Sequence, residues 1–256
     1  MKRVLFTADD FGMTRGVSAG IVESIRNGAV ASTAAMLCVD DAAANIAEFA
    51  PRIEGRIGLH LQLTDGTPRC DPQTIPTLVN GDGRFPRKPH QMRPLDPREV
   101  EREWKAQLDA LRALGIEPMR IDSHHHAHRD VVALHAYCEL AKSLDVPVRG
   151  APLFLPQIIS TLRKRAVKMP DVFTGEWSDA EPTLDRLIAC IQDVASECPD
   201  GGTIEVMCHP GFADDELRAR SAWSDEREQQ LRVLSSSELP ERLRDIGYEI
   251  ADGFLS

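Results

Sequence analysis

The sequence has few aromatic residues and no paired cysteine motif. The first shortage limits which side chains can fill the core, and the second argues against a framework of disulfide bonds. Phe, Tyr and Trp make up only 5% of the 256 residues, so aliphatic side chains and alanine must fill the interior. The six cysteines are scattered without a C-x-x-C pair. That pattern argues against a disulfide framework and fits a reducing compartment.

The sequence also lacks long apolar runs and an excess of basic residues. No run approaches the roughly 20 apolar residues that span a bilayer, and the run that begins at Val4 is too short for a signal peptide. The net charge of −10 repels phosphate backbones and anionic headgroups. We therefore expect a cytoplasmic protein without a membrane span and without nucleic acid as a partner.

Strand and helix patterns alternate along the whole chain, which predicts a parallel α/β sheet. We expect strands over Arg3–Ala8, Val30–Val39, Arg56–Leu63, Met119–Ser123, Val146–Arg149, Thr203–Cys208 and Tyr248–Ala251. Helices are predicted over Gly16–Asn27, Asp41–Ala50, 97–114 after the cap Asp96, Val131–Leu144, Thr183–Glu197, Ser224–Leu234 and Ser237–Ile246, with a weaker helical pattern over Ile158–Val167. Residues 64–95 resemble a functional loop, and 151–182 have no clear pattern. A single domain over 1–256 is the simplest description.

Residues that bind metals or transfer protons follow four of these strands. They are Asp9 and Asp10 after the first strand, His60 in the third, Asp122, His124, His126 and His128 at the fourth, and Glu205 and His209 at a later strand. Because active sites of parallel α/β proteins form at the carboxyl ends of strands, we expect these side chains to converge.

This set of residue types contains the parts of a metal-dependent hydrolase. A catalytic ion takes about three protein ligands, lowers the pKa of water toward ~7 and polarises a carbonyl. A second carboxylate can act as general base, and a histidine can protonate the leaving amine. Each residue alone has a plainer interpretation, such as a solvated turn for Asp9 and Asp10 or a core histidine for His60. The internal tract His124–His128 is the strongest single signal, because four imidazoles in five positions are costly to bury.

Five segments together resemble the motifs of YdjC-like carbohydrate deacetylases, in order and over nearly the whole chain. They are T-A-D-D-F-G at 7–12, G-L-H-L at 58–61, D-S-H-H-H-A-H at 122–128, E-V-M-C-H-P-G at 205–211 and the neighbourhood of Arg227 and Glu228. The resemblance implies a single-domain, irregular (β/α) TIM-like barrel with parallel strands. It further implies removal of acetyl groups from N-acetylated amino sugars, with one divalent ion, Mg²⁺ or Zn²⁺, and it suggests a homodimer.

The same resemblance implies roles for individual residues. Asp10, His60 and His124 would be the metal ligands and Asp9 the general base. We assign the general acid to His209. His128 is an alternative ligand, because it stands four residues after His124 as in the H-x-x-x-H pattern of polysaccharide deacetylases.

Two positions depart from the family pattern, and two other functions stay open. Thr7 replaces the usual Asn, and Gln62 stands where Asn is frequent. We expect these departures to affect the choice of substrate more than the catalytic chemistry. The loop 64–95 is expected to decide which sugar binds. The alternatives are another metal hydrolase on the same barrel, a cyclic amidohydrolase or a phosphoesterase, and a metal-binding protein without enzymatic activity.

Overall fold

The computed structural model describes residues 1–153, 155–179 and 181–253. Its strands are β1 (Lys2–Phe11), β2 (Val30–Ala35), β3 (Ile57–Leu61), β4 (Ile121–Ser123), β5 (Val172–Thr174), β6 (Thr203–Cys208) and β7 (Tyr248–Ile250). All pair in parallel, in the order β4-β3-β2-β1-β6-β5. β7 pairs with the first residues of β1, and β2 pairs with the later ones. The predicted α/β fold is confirmed, and its parallel sheet forms a half-barrel.

The helices that follow the strands are α1 (Arg15–Asn27), α2 (Ala42–Phe49), α3 (Pro97–Ala113), α4 (Val131–Leu144), α5 (Pro156–Lys164), α6 (Leu184–Asp193), α7 (Asp215–Arg220), α8 (Asp225–Leu234) and α9 (Leu239–Asp245). The cap predicted at Asp96 is present, since its side chain accepts hydrogen bonds from the amides of Arg98 and Glu99. None of the described helices is long and apolar enough to cross a bilayer.

Most predicted elements occur with shifted ends, and two were missed. The helix predicted at Val131–Leu144 and the strand at Thr203–Cys208 have the predicted bounds. The strand predicted at Val146–Arg149 is reduced to one bridge between Val148 and Ile121. β5 lies in the segment that had no clear pattern, and the short helix α7 was not predicted.

The alternation of side chains along β1 separates an apolar layer from a polar interior. Val4, Phe6 and Ala8 belong to the main apolar core. Leu5 belongs to a small separate cluster, and Thr7 contacts charged side chains instead. Because successive residues of a strand point to opposite faces, the half-barrel has an apolar outer layer and a charged interior that leads to the ends of the strands.

A glycine makes room for one of these interior charges. Gly58 precedes His60 by two residues on β3, and a β-carbon at Gly58 would lie 2.6 Å from both Cγ and the carbonyl oxygen of Arg120. The close passage of the fully buried Arg120 therefore requires glycine at this position. This packing explains the glycine of the G-L-H-L segment.

Candidate metal centre and pocket

Asp9 and Asp10 both reach the same pocket because β1 is irregular where they occur. The register of β1 against β2 shifts between Ala8 and Phe11, and Asp10 has a positive φ of 69°. In a regular strand two consecutive side chains would face opposite sides. A bulge with a left-handed residue redirects one of them, so both carboxylates line one cavity.

Asp10, His60 and His124 form the group that the sequence predicted as metal ligands. Oδ1 of Asp10 lies 3.2 Å from Nδ1 of His124 and 3.5 Å from Nε2 of His60, and the two imidazole nitrogens are 3.3 Å apart. All three residues are buried. The structure thus brings together side chains from β1, β3 and the end of β4.

The spacing and chemistry of these donors fit a divalent ion. A tetrahedral site with bonds of about 2.0–2.1 Å separates its ligand atoms by roughly 3.3–3.4 Å. Among the described residues, Oδ1 of Asp10 has no hydrogen-bond partner although it is buried. A buried carboxylate oxygen without a donor is costly, and a cation between the three atoms would satisfy it.

The imidazole of His60 is oriented by a buried carboxylate on the neighbouring strand. Nδ1 of His60 contacts Oδ1 of Asp122 at 2.5 Å, which leaves Nε2 directed toward Asp10 and His124. Asp122 in turn lies 2.7 Å from Nη2 of Arg120. Burial alone would lower the pKa of His60, but the carboxylates of Asp122 and Asp9 outweigh it and raise the pKa to about 10.

Asp10 is supported by a different arginine. Its second oxygen, Oδ2, accepts a hydrogen bond of 2.6 Å from Nη2 of Arg227 on α8. Burial would raise the pKa of Asp10, but Arg227 and the two histidines hold it well below its usual range. Asp10 therefore stays an anion in the buried pocket.

Asp9 is held by an arginine that sequence analysis missed. Both its oxygens accept hydrogen bonds from Arg149, at 2.6 and 2.7 Å. Arg149 also donates to Glu205 at 3.1 Å and to Thr7 at 2.9 Å, and Thr7 donates to Glu205 at 2.8 Å. The departure at Thr7 therefore belongs to the network beneath Asp9. The only signal in the sequence was that Arg149 ends a predicted strand.

His209 lies beside this pair on the loop that follows β6. Its Nε2 is 3.9 Å from Oδ2 of Asp9, and its backbone amide donates to Gln230 at 2.6 Å. The ring packs edge-on against Trp223, with centroids 5.2 Å apart. Burial lowers the pKa of His209 to about 4, although Asp10 and Asp9 oppose this shift. The imidazole is therefore neutral at neutral pH before an ion or a substrate binds.

The histidine tract leaves the strand after Ser123, and this separates its members. His125 and His126 have positive φ values of 49° and 54°, which reverses the chain. His125 packs against His124, at 3.9 Å between centroids, and its Nδ1 lies 3.0 Å from the hydroxyl of Thr64. It thereby connects a ligand to the beginning of the loop 64–95.

The structure does not bring His128 to the ligand group. Its Nδ1 lies 2.6 Å from the hydroxyl of Ser123, and its Nε2 lies 3.3 Å from the carbonyl of Gly150. The ring stacks on Tyr137 at 4.7 Å. Both nitrogens are thus engaged in fixing the turn. The spacing of four residues from His124 does not place the two rings around one ion, because the intervening residues are not helical.

A second group of acidic and histidine side chains, Asp9, His60 and Asp122, also has donor atoms within 4.8 Å of one another. Its two carboxylates already pair with Arg149 and Arg120. A second cation there would compete with two buried guanidinium groups. Of the two groups, the one at Asp10 is therefore the better candidate for a cation site.

The pocket above the ligands has a volume of about 570 Å³. One wall comes from the loop 64–95, through Asp65, Arg87 and Lys88, and another from Arg220 and its neighbours. The loop is fastened by the buried Glu103 of α3, which accepts hydrogen bonds from the amides of residues 69 and 70. Part of the loop 64–95 thus borders the pocket, and its role in the choice of sugar stays a prediction.

Gln62, the second departure from the family pattern, fixes the base of that loop. Its side chain accepts a hydrogen bond from the amide of Cys38 at 2.9 Å and donates to the carbonyl of Asp65 at 2.8 Å. It is fully buried and does not line the pocket. This residue therefore affects the site through the position of Asp65.

Curated proteins and one solved structure resemble the chain over nearly its full length. A carbohydrate deacetylase of Vibrio parahaemolyticus is 35% identical over 253 residues, covering 98% of this chain and 94% of the relative. One of Brevibacillus brevis is 32% identical over 248 residues, covering 95% of each. A crystal structure from Enterococcus faecalis V583, whose name proposes cellobiose-phosphate cleavage, superposes with a TM-score of 0.86 at 28% identity, covering 98% and 97% of the two chains. The family model described as YdjC-like protein matches residues 3–245, and the chain therefore belongs to the YdjC-like family together with these carbohydrate deacetylases.

Proposed function

We propose that this protein removes the N-acetyl group from an acetylated amino sugar, with one divalent ion held by Asp10, His60 and His124. The observation that carries the proposal is the buried cluster of one carboxylate and two imidazoles at 3.2–3.5 Å, at the floor of an open pocket. The named activity of the curated relatives supports the substrate class.

The donor set favours a particular kind of ion. Mg²⁺ prefers oxygen ligands in an octahedral arrangement, whereas Zn²⁺ and Co²⁺ accept imidazole nitrogen readily. With two nitrogens and one oxygen, we infer Zn²⁺ or a similar transition metal rather than Mg²⁺. When bound, such an ion supplies Lewis acidity toward the acetyl oxygen and makes water more acidic.

The chain's own residues supply the proton transfers. Asp9, oriented by Arg149, is placed to take a proton from the attacking water. His209 starts neutral, so the proton that it gives to the leaving amine must arrive during the reaction. The carboxylate of Asp9, 3.9 Å from Nε2 of His209, is the source in this proposal. The products are acetate and the free amine.

The test is acetate release from N-acetylglucosamine and its short oligosaccharides, with Zn²⁺, Co²⁺ and Mg²⁺ added separately to protein freed of metal. We expect activity with Zn²⁺ or Co²⁺ that a chelator abolishes. Asp9→Asn should lower kcat by about 10²–10⁴-fold without loss of metal. Asp10→Ala should lose both the metal and the activity.

Asp109→Asn is the matched control, because Asp109 is an exposed carboxylate of α3 that pairs only with Lys105 among the described ion pairs. It should leave kcat unchanged. Full activity in Asp9→Asn would remove the assigned base, and acetate release that resists chelation would remove the metal. Two or three ions per chain by elemental analysis would instead favour a phosphoesterase.

A further inference from the structure

The two carboxylate oxygens of Asp10 have different surroundings, because Arg227 binds only one of them. Nη2 of Arg227 donates to Oδ2 at 2.6 Å. Oδ1, on the other side, faces Nδ1 of His124 at 3.2 Å and Nε2 of His60 at 3.5 Å. One oxygen of Asp10 is therefore directed to the metal position while the other is held by a cation.

The guanidinium of Arg227 is itself fixed in place. The residue is buried, and its Cζ lies 5.4 Å from the centre of the Trp223 ring. Its backbone carbonyl accepts a hydrogen bond of 3.2 Å from the amide of Gly211, on the loop that carries His209. Glu228 and Gln230 of the same helix hold the amides of Ala213 and His209. α8 thus locates both Asp10 and the His209 loop.

We propose that Arg227 is a positioning residue that restricts Asp10 to a single ligand oxygen and so keeps a coordination position open for the substrate. This inference rests on the metal site of the proposed function. A carboxylate with both oxygens available can bind a cation through both, whereas one whose Oδ2 is held at 2.6 Å by a buried arginine binds through Oδ1. A catalytic ion needs such an open position, and a structural one does not.

The proposal makes an unusual prediction about metal affinity. Loss of a residue that merely supports a ligand lowers metal affinity about 10–100-fold. Loss of Arg227 would instead free Oδ2 to bind and would remove one positive charge next to a divalent cation. We therefore expect affinity that is equal to or tighter than that of the wild type, with a reduced kcat.

The experiment uses Co²⁺ added to the metal-free full chain, because its visible absorption weakens as its coordination number rises. The variants are Arg227→Met, Arg227→Gln, whose amide is too short to reach Asp10, and Arg227→Lys, whose ammonium can still donate to Oδ2. The matched control is Arg232→Met, since Arg232 is an exposed arginine of the same helix that pairs with Glu228. Absorption, dissociation constant, kcat and thermal unfolding are measured for each.

In the methionine and glutamine variants we expect weaker absorption per ion, undiminished affinity and at least about tenfold lower kcat. The lysine and control variants should keep the wild-type spectrum. An unchanged spectrum in whichever of the two uncharged variants folds would overturn the inference, and so would a loss of affinity of tenfold or more. Failure of the wild type to bind Co²⁺ would overturn the proposed function itself, so the two failures are distinguishable.

Discussion

Replacement of Arg149 by methionine should be among the most damaging single changes to the stability of this protein. Arg149 is fully buried and contacts three carboxylates, those of Asp9 at 2.6 and 2.7 Å, Glu205 at 3.1 Å and Asp122 at 3.3 Å. A methionine side chain would fill much of the volume of the arginine, but the three carboxylates would lose the guanidinium group that they share. Removal of one partner from a buried ion pair costs about 3–5 kcal/mol.

The assay is urea-induced unfolding followed by circular dichroism, together with thermal unfolding. For a chain of this size, 1 kcal/mol corresponds to about 2–4 °C in Tm, so a decrease of roughly 6–20 °C is expected. Arg112→Met is the matched control. Arg112 also binds one carboxylate, Glu117, through two nitrogens at 2.9 and 3.0 Å, but both partners are exposed. That pair should contribute no more than about 1 kcal/mol.

The comparison tests the buried charge network, because each arginine binds one carboxylate through two nitrogens but only Arg149 is buried and contacts two further carboxylates. Equal destabilisation by Arg149→Met and Arg112→Met would show that the buried ion pairs of Arg149 do not contribute extra stability. A loss below about 1 kcal/mol for Arg149→Met would have the same meaning.

Three further predictions concern other parts of the site. Since the pKa of His60 is raised to about 10 before an ion binds, the ion must displace a proton. Metal affinity should therefore increase about tenfold per pH unit between pH 7 and 9, and a flat profile in a Co²⁺ titration would contradict this. Gly20→Ala should lower both Tm and kcat, because a β-carbon there would lie 2.5 Å from Cα of Gly211, whereas Gly81→Ala, with nothing within 4 Å, should change neither. Glu103→Gln should raise KM more than it lowers kcat in acetate-release assays, because Glu103 fastens the loop wall rather than the ligands; an unchanged KM would refute that role.

The sequence was sufficient to predict which side chains converge at the ends of the strands. Parallel strands bring their carboxyl ends together, so the polar residues after β1, β3 and β4 had to converge. The structure places Asp10, His60 and His124 together as expected. It could not be inferred that Asp10 takes a left-handed conformation, because this depends on the register of β1 against β2.

The supporting arginines were not predictable in the same way. Arg227 was marked only by the resemblance of its segment, whereas Arg120 and Arg149 are distinguished from surface arginines only by their buried carboxylate partners. β5 and α7 were missed because three and six residues carry too little periodicity. α7 is stabilised by a tertiary contact instead, since its cap Asp214 also accepts a hydrogen bond of 2.6 Å from the amide of Gly16.

The attachment of the loop 64–95 determines which substitutions can reshape the cavity mouth. The loop is fastened near its beginning by hydrogen bonds to Glu103 and Gln62, and neither of these two residues lines the pocket. Its distal part, including Arg87 and Lys88, reaches the cavity mouth without touching the ligands' supporting arginines in the described contacts. We therefore expect substitutions at Arg87 or Lys88 to change the walls of the cavity while the hydrogen bonds that hold Asp9 and Asp10 stay in place.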